Sequence, residues 1–342
     1  MSETTSSSFY APGMMDLSRY RLERADLGPA WDAFVEGSPQ GTLFSETRFL
    51  EALDGRPAVW WCLRSQEPAA AIALMESSDG RSAILYPNVI HNGIMLRAAP
   101  PSQSPAQVMS ESFRILAYIA TVLPDHYESI RMALHPSLTD MRPFQWHNYH
   151  GEGPTYGIDI RYTSLLDLDD YRRRDKLEDI PGYLAANKSR RQEIRYALNK
   201  GYRTREAFEP ELFLDLYRET FERQNVAIAD TGIDDVARIL PALHEAGRLR
   251  MFIGETPDGI PGAVAVFARD AKRWYYLYGA GNSKVRDGHA GSLVLWNAMA
   301  ELSEDGPGEI DLEGVNSPQR GYFKLSFGGS LTSYYRVTYP AP

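Results

Sequence analysis

The chain has 342 residues, enough for about two domains. Its 43% hydrophobic and 24% charged residues exclude a disordered or fibrous chain. Lys and Arg number 36 against 45 Asp and Glu, and the net charge of −9 argues against a wholesale nucleic-acid binder while leaving room for a local basic groove. The single cysteine, Cys62, excludes an internal disulfide and reads as a protein of the reducing cytoplasm. Residues 1–8 are polar without a basic leader, so no signal peptide is expected. No apolar run reaches the ~18 residues of a membrane span, so no membrane partner is expected.

Residues 1–15 read as a flexible N-terminus, ahead of an N-terminal domain over 16–150 and a C-terminal domain over 151–342. In chain order, the patterning predicts a strand near Tyr20–Arg24 and helices near Pro29–Glu36 and Glu46–Leu53. Strands are expected at Ala58–Arg64, Ala69–Glu76 and Ala83–Ile90. A helix from about Ala106 to Val122 carries Phe113, Leu116, Ala117 and Ala120 on one side, and a strand over Ser129–Leu134 follows. Met141–Tyr156, rich in Pro, Gly and aromatics, reads as a linker. The run Lys188–Arg205 is strongly basic, with Ile194, Ala197 and Leu198 at helical spacing. It reads as an amphipathic helix whose charged side is either simply solvated or a binding surface.

Pro210 opens a helix with Leu212, Phe213, Leu216, Tyr217 and Phe221 on one face. A meander follows, with strands at Leu249–Gly254, Gly262–Arg269 and Arg273–Gly279 joined by Pro257-Asp258-Gly259 and a polar turn at 269–272. Then come a helix over Gly288–Ser303, a strand over Glu309–Leu312, a short turn or helix, and a closing strand over Ser333–Tyr339. The two halves share this order of elements rather than a sequence, which predicts two copies of one α/β unit.

Chemistry concentrates in the second copy. The loop before the helix at 288 carries Lys284, Arg286, Gly288, His289 and Gly291. Unpaired backbone N–H groups at a helix start bind anions, although an ordinary capped turn has the same spacing. On a strand, Asp311 and Glu313 share a face, and mutual repulsion raises the pKa of one toward a general base. Either acid is equally suited to an ion pair with Lys324 or Arg320, and Asn316 with Ser317 suits a turn. No G-x-S-x-G elbow, P-loop or metal-ligand spacing occurs, so no metal is expected.

The stretch Asp311–Val337, DLEGVNSPQRGYFKLSFGGSLTSYYRV, resembles the C-terminal signature of tandem GNAT-fold acyltransferases. These are the Fem-type aminoacyl transferases and the N-acyltransferases of nucleotide-linked amino sugars. NKSRRQEIRYALNKGY at 187–202, the helix 211–225 with Arg223-Gln224, RPFQWHNY at 142–149 and GTLFSETRFLEAL at 41–53 resemble them too. The GVNSP and FKLSFGG wording is closer to the amino-sugar branch.

The resemblance implies an α/β fold of two tandem GNAT-like domains, each a mixed, mostly antiparallel sheet flanked by helices. It implies transfer of an acyl group from acetyl-CoA or a longer acyl-CoA to a primary amine, on a nucleotide-linked amino sugar. The donor's arm would lie as an extra strand between Tyr275–Gly279 and Glu309–Leu312. Its contacts would include Tyr278, Gly279, Lys284, Arg286, Gly288, His289, Gly291, Ser292, Asn316 and Lys324; His289 replaces the family's first loop glycine. Glu313 or Asp311 would deprotonate the amine, and backbone N–H groups near Tyr278–Ala280 would hold the oxyanion. The family's acid, a Tyr, is Phe323 here, which leaves the adjacent Tyr322 or a water; core packing suits Tyr322 equally.

Tyr86, His91 and Asn92 would contact the acceptor, with His91 an alternative base or a mere surface residue. Trp146, His147 and Asn148 would wall a cleft, Trp146 being better suited to a core. A Fem-type transferase would instead lay Lys188–Arg205 on RNA phosphates. His289 and Phe323 also fit a binding module that has lost its chemistry.

Overall fold

The computed structural model describes residues 16–223 and 232–342, so the N-terminal segment 1–15 and part of the helix expected over 211–225 lie outside the described residues. Two compact units emerge. The first takes residues up to Glu51, 55–161 and 334–342; the second takes 52–54 and 162–333.

The first unit runs Tyr20–Arg24 (β1), Pro29–Gly37 (α1), Thr47–Glu51 (α2), Arg56–Arg64 (β2), Glu67–Glu76 (β3), Ser82–Ile84 (β4), Gly93–Leu96 (β5), Pro105–Val122 (α3), Ser129–Ala133 (β6) and Arg142–Gln145 (α4). β2 and β3 form a hairpin whose turn residues, Ser65 and Gln66, both take positive φ (49° and 78°), the twist a two-residue turn needs. The continuous strand expected over Ala83–Ile90 is broken. Pro87 has no N–H to give a ladder and Asn88 takes a φ of 66°, so the chain leaves the sheet after Ile84 and returns at Gly93. β4 pairs in parallel with β6, and β5 pairs with β3. The core gathers Trp60, Ile72, Ile94, Leu116, Ile119 and Met132.

Gly157–Asp167 (β7), a strand not predicted from the sequence, follows the expected linker and passes from the first unit to the second. The second unit continues through Pro181–Ala185 (α5), Lys188–Asn199 (α6), Arg203–Glu206 (β8), Pro210–Arg223 (α7), Ile233–Glu245 (α8), Leu249–Glu255 (β9), Pro261–Arg269 (β10), Trp274–Gly281 (β11), Ala290–Leu302 (α9), Glu309–Asp311 (β12) and Pro318–Leu325 (α10). Its strands are ordered β7-β12-β11-β10-β9-β8, all neighbours antiparallel except β11 and β12. Leu293, Val294, Leu295, Trp296 and Met299 place apolar groups all round α9, and the helix is accordingly buried among Phe252, Ala265 and Tyr183.

The last strand, Ser330–Tyr339 (β13), stands next to β7 in the strand order, but from Tyr334 on it belongs to the first unit, a partnership its position in the sequence did not suggest. It pairs with β6, and Val337 is fully buried in the first core beside Ile130 and Met132. Among the described residues no helix is long and apolar enough to cross a membrane.

Candidate active site

β11 and β12 pair only at Trp274 with Ile310 and Tyr275 with Asp311. β11 then runs on to Gly281 while β12 stops at Asp311, so the two strands part and the edge of residues 276–281 lies open on that side. A bulge sharpens the opening. Tyr276 stands opposite Phe267 and Tyr278 opposite Val266, so Leu277 is the extra residue. Strict alternation would set both tyrosines on one face; the bulge turns them to opposite faces. Tyr276 faces the opening, with its hydroxyl against Gly279. The Tyr278 side chain, expected on the donor, instead packs beneath α7 against Phe213 and Tyr217, 6.0 and 5.9 Å between ring centres. Burial pushes its hydroxyl well above the ordinary range.

The opening belongs to a cleft of about 510 Å³. Its walls are Gly279–Asn282, the first turn of α9, Arg190 and Glu193 of α6, and Tyr322 with Phe323 of α10. α9 starts at His289, in the left-handed region (φ 55°) and without a side-chain cap on the helix. Gly291 lines the cleft and has open space where a Cβ would go, which suits close approach of a ligand. Gly288 does not serve that purpose. A Cβ there would lie 1.8 Å from the Tyr202 ring, so its small size serves packing. Lys284 is exposed, outside the lining, and the side chain of Arg286 falls outside the described part. Tyr322 is 65% exposed on the wall, not a core residue.

Two wall residues escaped the sequence reading. Arg190 is only 4% exposed, and the buried stripe of α6 is Arg190, Ile194 and Ala197, while Leu198 faces out. Its guanidinium donates to Ser326 Oγ at 2.9 Å and to Glu193 and Ser292, and lies 4.3 Å over the Phe323 ring. Ser292, in the first turn of α9, donates to Glu193 Oε2 at 2.6 Å. Arg190 stands four residues before Ile194, a spacing that marks the apolar face; the basic run around it masked the signal.

At the end of β12 sits a buried ionisable group. The Asp311 carboxylate accepts from the Thr163 hydroxyl and, at 2.7 Å, from the Glu313 backbone N–H. Glu313 takes a φ of 52°, so the expected strand alternation ends at Asp311, yet the Asp311 carboxylate still bonds the Glu313 backbone and raises the Glu313 carboxyl. Oε1 of Glu313 is buried without a hydrogen-bond partner among the described residues. Burial pushes its carboxyl well above the ordinary range, Asp311 adds to that and Lys324 opposes it. Burial pushes Lys324 down to about 8, against the pull of the two carboxylates. Its ammonium lies 5.0 Å from the centre of the Tyr276 ring, which connects this group to the cleft.

Asn316, expected on the donor, is used up by the fold: its amide exchanges bonds of 2.7 and 2.8 Å with the backbone of Tyr162, as a strand would.

The candidates of the first unit pack within that unit. His91 is enclosed by the rings of Phe44, His135 and Tyr334 rather than exposed on a loop. Asn92 bonds Ala133 twice, its N–H donating to the carbonyl at 2.8 Å and its side chain accepting from the N–H at 2.6 Å. Tyr86 is half-buried against Gly55. Trp146 is 40% exposed, not in the core, and its ring lies tilted against that of Phe113. His147 lies against Tyr156 and Tyr339, and burial lowers its pKa. Among the described residues no group of three or more His, Cys, Asp or Glu stands where it would hold a metal.

Residues 188–324, which contain the cleft and the Glu313 group, match the family model described as an acetyltransferase (GNAT) domain. The crystal structure of FemX matches with a TM-score of 0.62 at 15% identity, over 92% of this chain and 96% of that one. A conserved protein from Bacteroides thetaiotaomicron matches with a TM-score of 0.55 at 11% identity, over 93% and 99%. A tandem GNAT protein from the clavulanic acid biosynthesis pathway matches with a TM-score of 0.54 at 10% identity, over 94% and 99%. The chain has the tandem GNAT fold. At these identities the likeness speaks for the fold, while the domain model places the acyltransferase signature in the second unit. A comparison with curated proteins finds no match.

Proposed function

We propose that this tandem GNAT protein is an N-acyltransferase that moves an acyl group from an acyl-CoA thioester to a primary amine, with Glu313 as the base. The observation that carries the reading is the Glu313 carboxyl: buried, with a free oxygen, raised by burial and set where β12 leaves β11. An ammonium has no lone pair, and a carboxyl raised toward working pH is suited to take its proton. Asp311, fixed by Thr163 and by the Glu313 backbone, positions that turn.

The thioester arm lies along the open edge of β11, held by main-chain bonds, and N–H groups beside the bulge receive the oxyanion. Glu313 takes one proton from the ammonium, the freed amine nitrogen bonds to the acyl carbon, the C–S bond breaks, and the second nitrogen proton leaves to solvent. Lys324, near 8, matches a thiol's ordinary ~8.5 and supplies the proton to the departing sulfur. The acceptor is the amino group of a nucleotide-linked amino sugar, a reading that rests on the wording of residues 311–335.

The test is release of free CoA from acyl-CoA in the presence of a panel of amines that includes nucleotide-linked amino sugars. Turnover that Glu313→Gln abolishes supports the reading; an unchanged rate in that variant sinks it. A second reading, aminoacyl transfer from tRNA, draws on the exposed Lys188 and Arg195 of α6 and Lys200 just after it. It requires tRNA binding that weakens steeply with salt.

A further inference from the structure

The first turn of α9 faces the cleft without a cap, yet it is not short of an anion. The Glu193 carboxylate reaches it from α6. One carboxylate oxygen accepts from Ser292 Oγ at 2.6 Å and from the Arg190 guanidinium, and the same guanidinium nitrogen also donates to Ser292. His289 Nδ1 stands 3.9 Å from that oxygen. Arg190 is almost completely buried and is fixed from its other side by Ser326, so it is held in place and cannot swing out to meet a ligand. Glu193, by contrast, remains partly exposed on the cleft wall.

A phosphate entering at Gly291 and Ser292 therefore meets a fixed cation and a helix start that already hold a negative charge. Two anions in a partly buried site repel strongly, because the surroundings screen them far less than water does. Taking the carboxylate away from Arg190 also leaves a buried cation to be satisfied by whatever replaces it.

We propose that Glu193 is a donor-specificity residue: it competes with the donor's phosphates for Arg190 and the first turn of α9, so that recognition falls on the thioester arm rather than on the diphosphate. The inference rests on the reading of this cleft as the donor site. It assigns the donor's affinity chiefly to the edge of β11, residues 276–281, and little to its charge.

The test compares coenzyme A, pantetheine and inorganic pyrophosphate by isothermal titration on the full chain and on Glu193→Gln, which keeps the size and a hydrogen-bonding head but removes the charge. Coenzyme A and pyrophosphate should bind the variant at least about tenfold more tightly than the natural chain, and pantetheine should bind both alike. Glu193→Ala, with circular dichroism as a check on folding, should give the same ranking. Equal coenzyme A affinity in the two chains overturns the proposal, as does an equal gain for pantetheine, which would mark a wider cleft rather than a removed charge. Pyrophosphate separates this inference from the donor reading. A gain for pyrophosphate with no pantetheine binding to either chain upholds the competition at α9 and breaks the thioester-arm reading.

Discussion

In the first unit, α3 begins with a closed box: Ser104 Oγ accepts from the Gln107 N–H, Gln107 Oε1 accepts from the Ser104 N–H, and Pro105 fills the next position. In the second unit, α9 begins at His289 with no side-chain cap, on small residues, beside a cleft. The strands before these helices differ in the same sense. β4 and β5 are short pieces, and Asn92 ties the start of β5 to Ala133 of β6 through two bonds. β11 is one strand that diverges from β12 and leaves its edge open. The helix start and strand gap that border the cleft in the second unit are occupied in the first by a capping box and by the bonds of Asn92.

The largest effect that would sharpen this contrast is in chemistry. Glu313→Gln should lower turnover by about 10²–10⁴-fold with donor affinity unchanged; a parallel loss of donor binding would show the residue to be structural. The pH profile comes next. With Lys324 near 8 and Glu313 raised, the rate should rise with pH through the carboxyl and fall above about 8, and Lys324→Met should remove the falling limb. Folding stability runs the other way for the lysine. The unfolded chain keeps its proton to the ordinary 10.5, so stability rises with pH between about 8 and 10.5, a rise that Lys324→Met should abolish.

Smaller effects separate the two units by stability. Asn92→Ala leaves the buried Ala133 N–H unpaired and should cost about 1–3 kcal/mol in urea unfolding, without touching pantetheine binding. The glycines near α9 should divide: Gly288→Ala meets the Tyr202 ring and should cost about 1–3 kcal/mol. Gly291→Ala meets nothing and should gain about 0.5–1 kcal/mol, while weakening the donor if the cleft is the donor site.

The elements around the site were legible because local patterning decides them: β10, β11, α9 and β12 lie within a residue or two of their expected bounds. What was not legible is non-local or hidden by a stronger signal. β13 alternates like any strand, and nothing near it says that β6 is its partner. The direction of the Tyr278 side chain depends on a bulge at Leu277, which has no mark in Trp274–Gly281. Arg190 was lost in a charge run that reads as solvated, and Asn316 was read as a turn although its amide completes Tyr162's backbone bonding. The broken strand at 85–92, by contrast, had its mark in Pro87-Asn88, which the apolar residues on either side outweighed.

The pairing of β13 with β6 also bears on how the chain is made. Synthesis runs from the N-terminus, so β6 at 129–133 is made long before β13, the strand that supplies Val337 to the first core, with most of the second unit made in between. Until β13 arrives, the edge of β6 that it covers is unpaired. That exposed edge is a hazard for strand addition by another chain, and it persists for as long as the ribosome needs to translate the whole of the second unit.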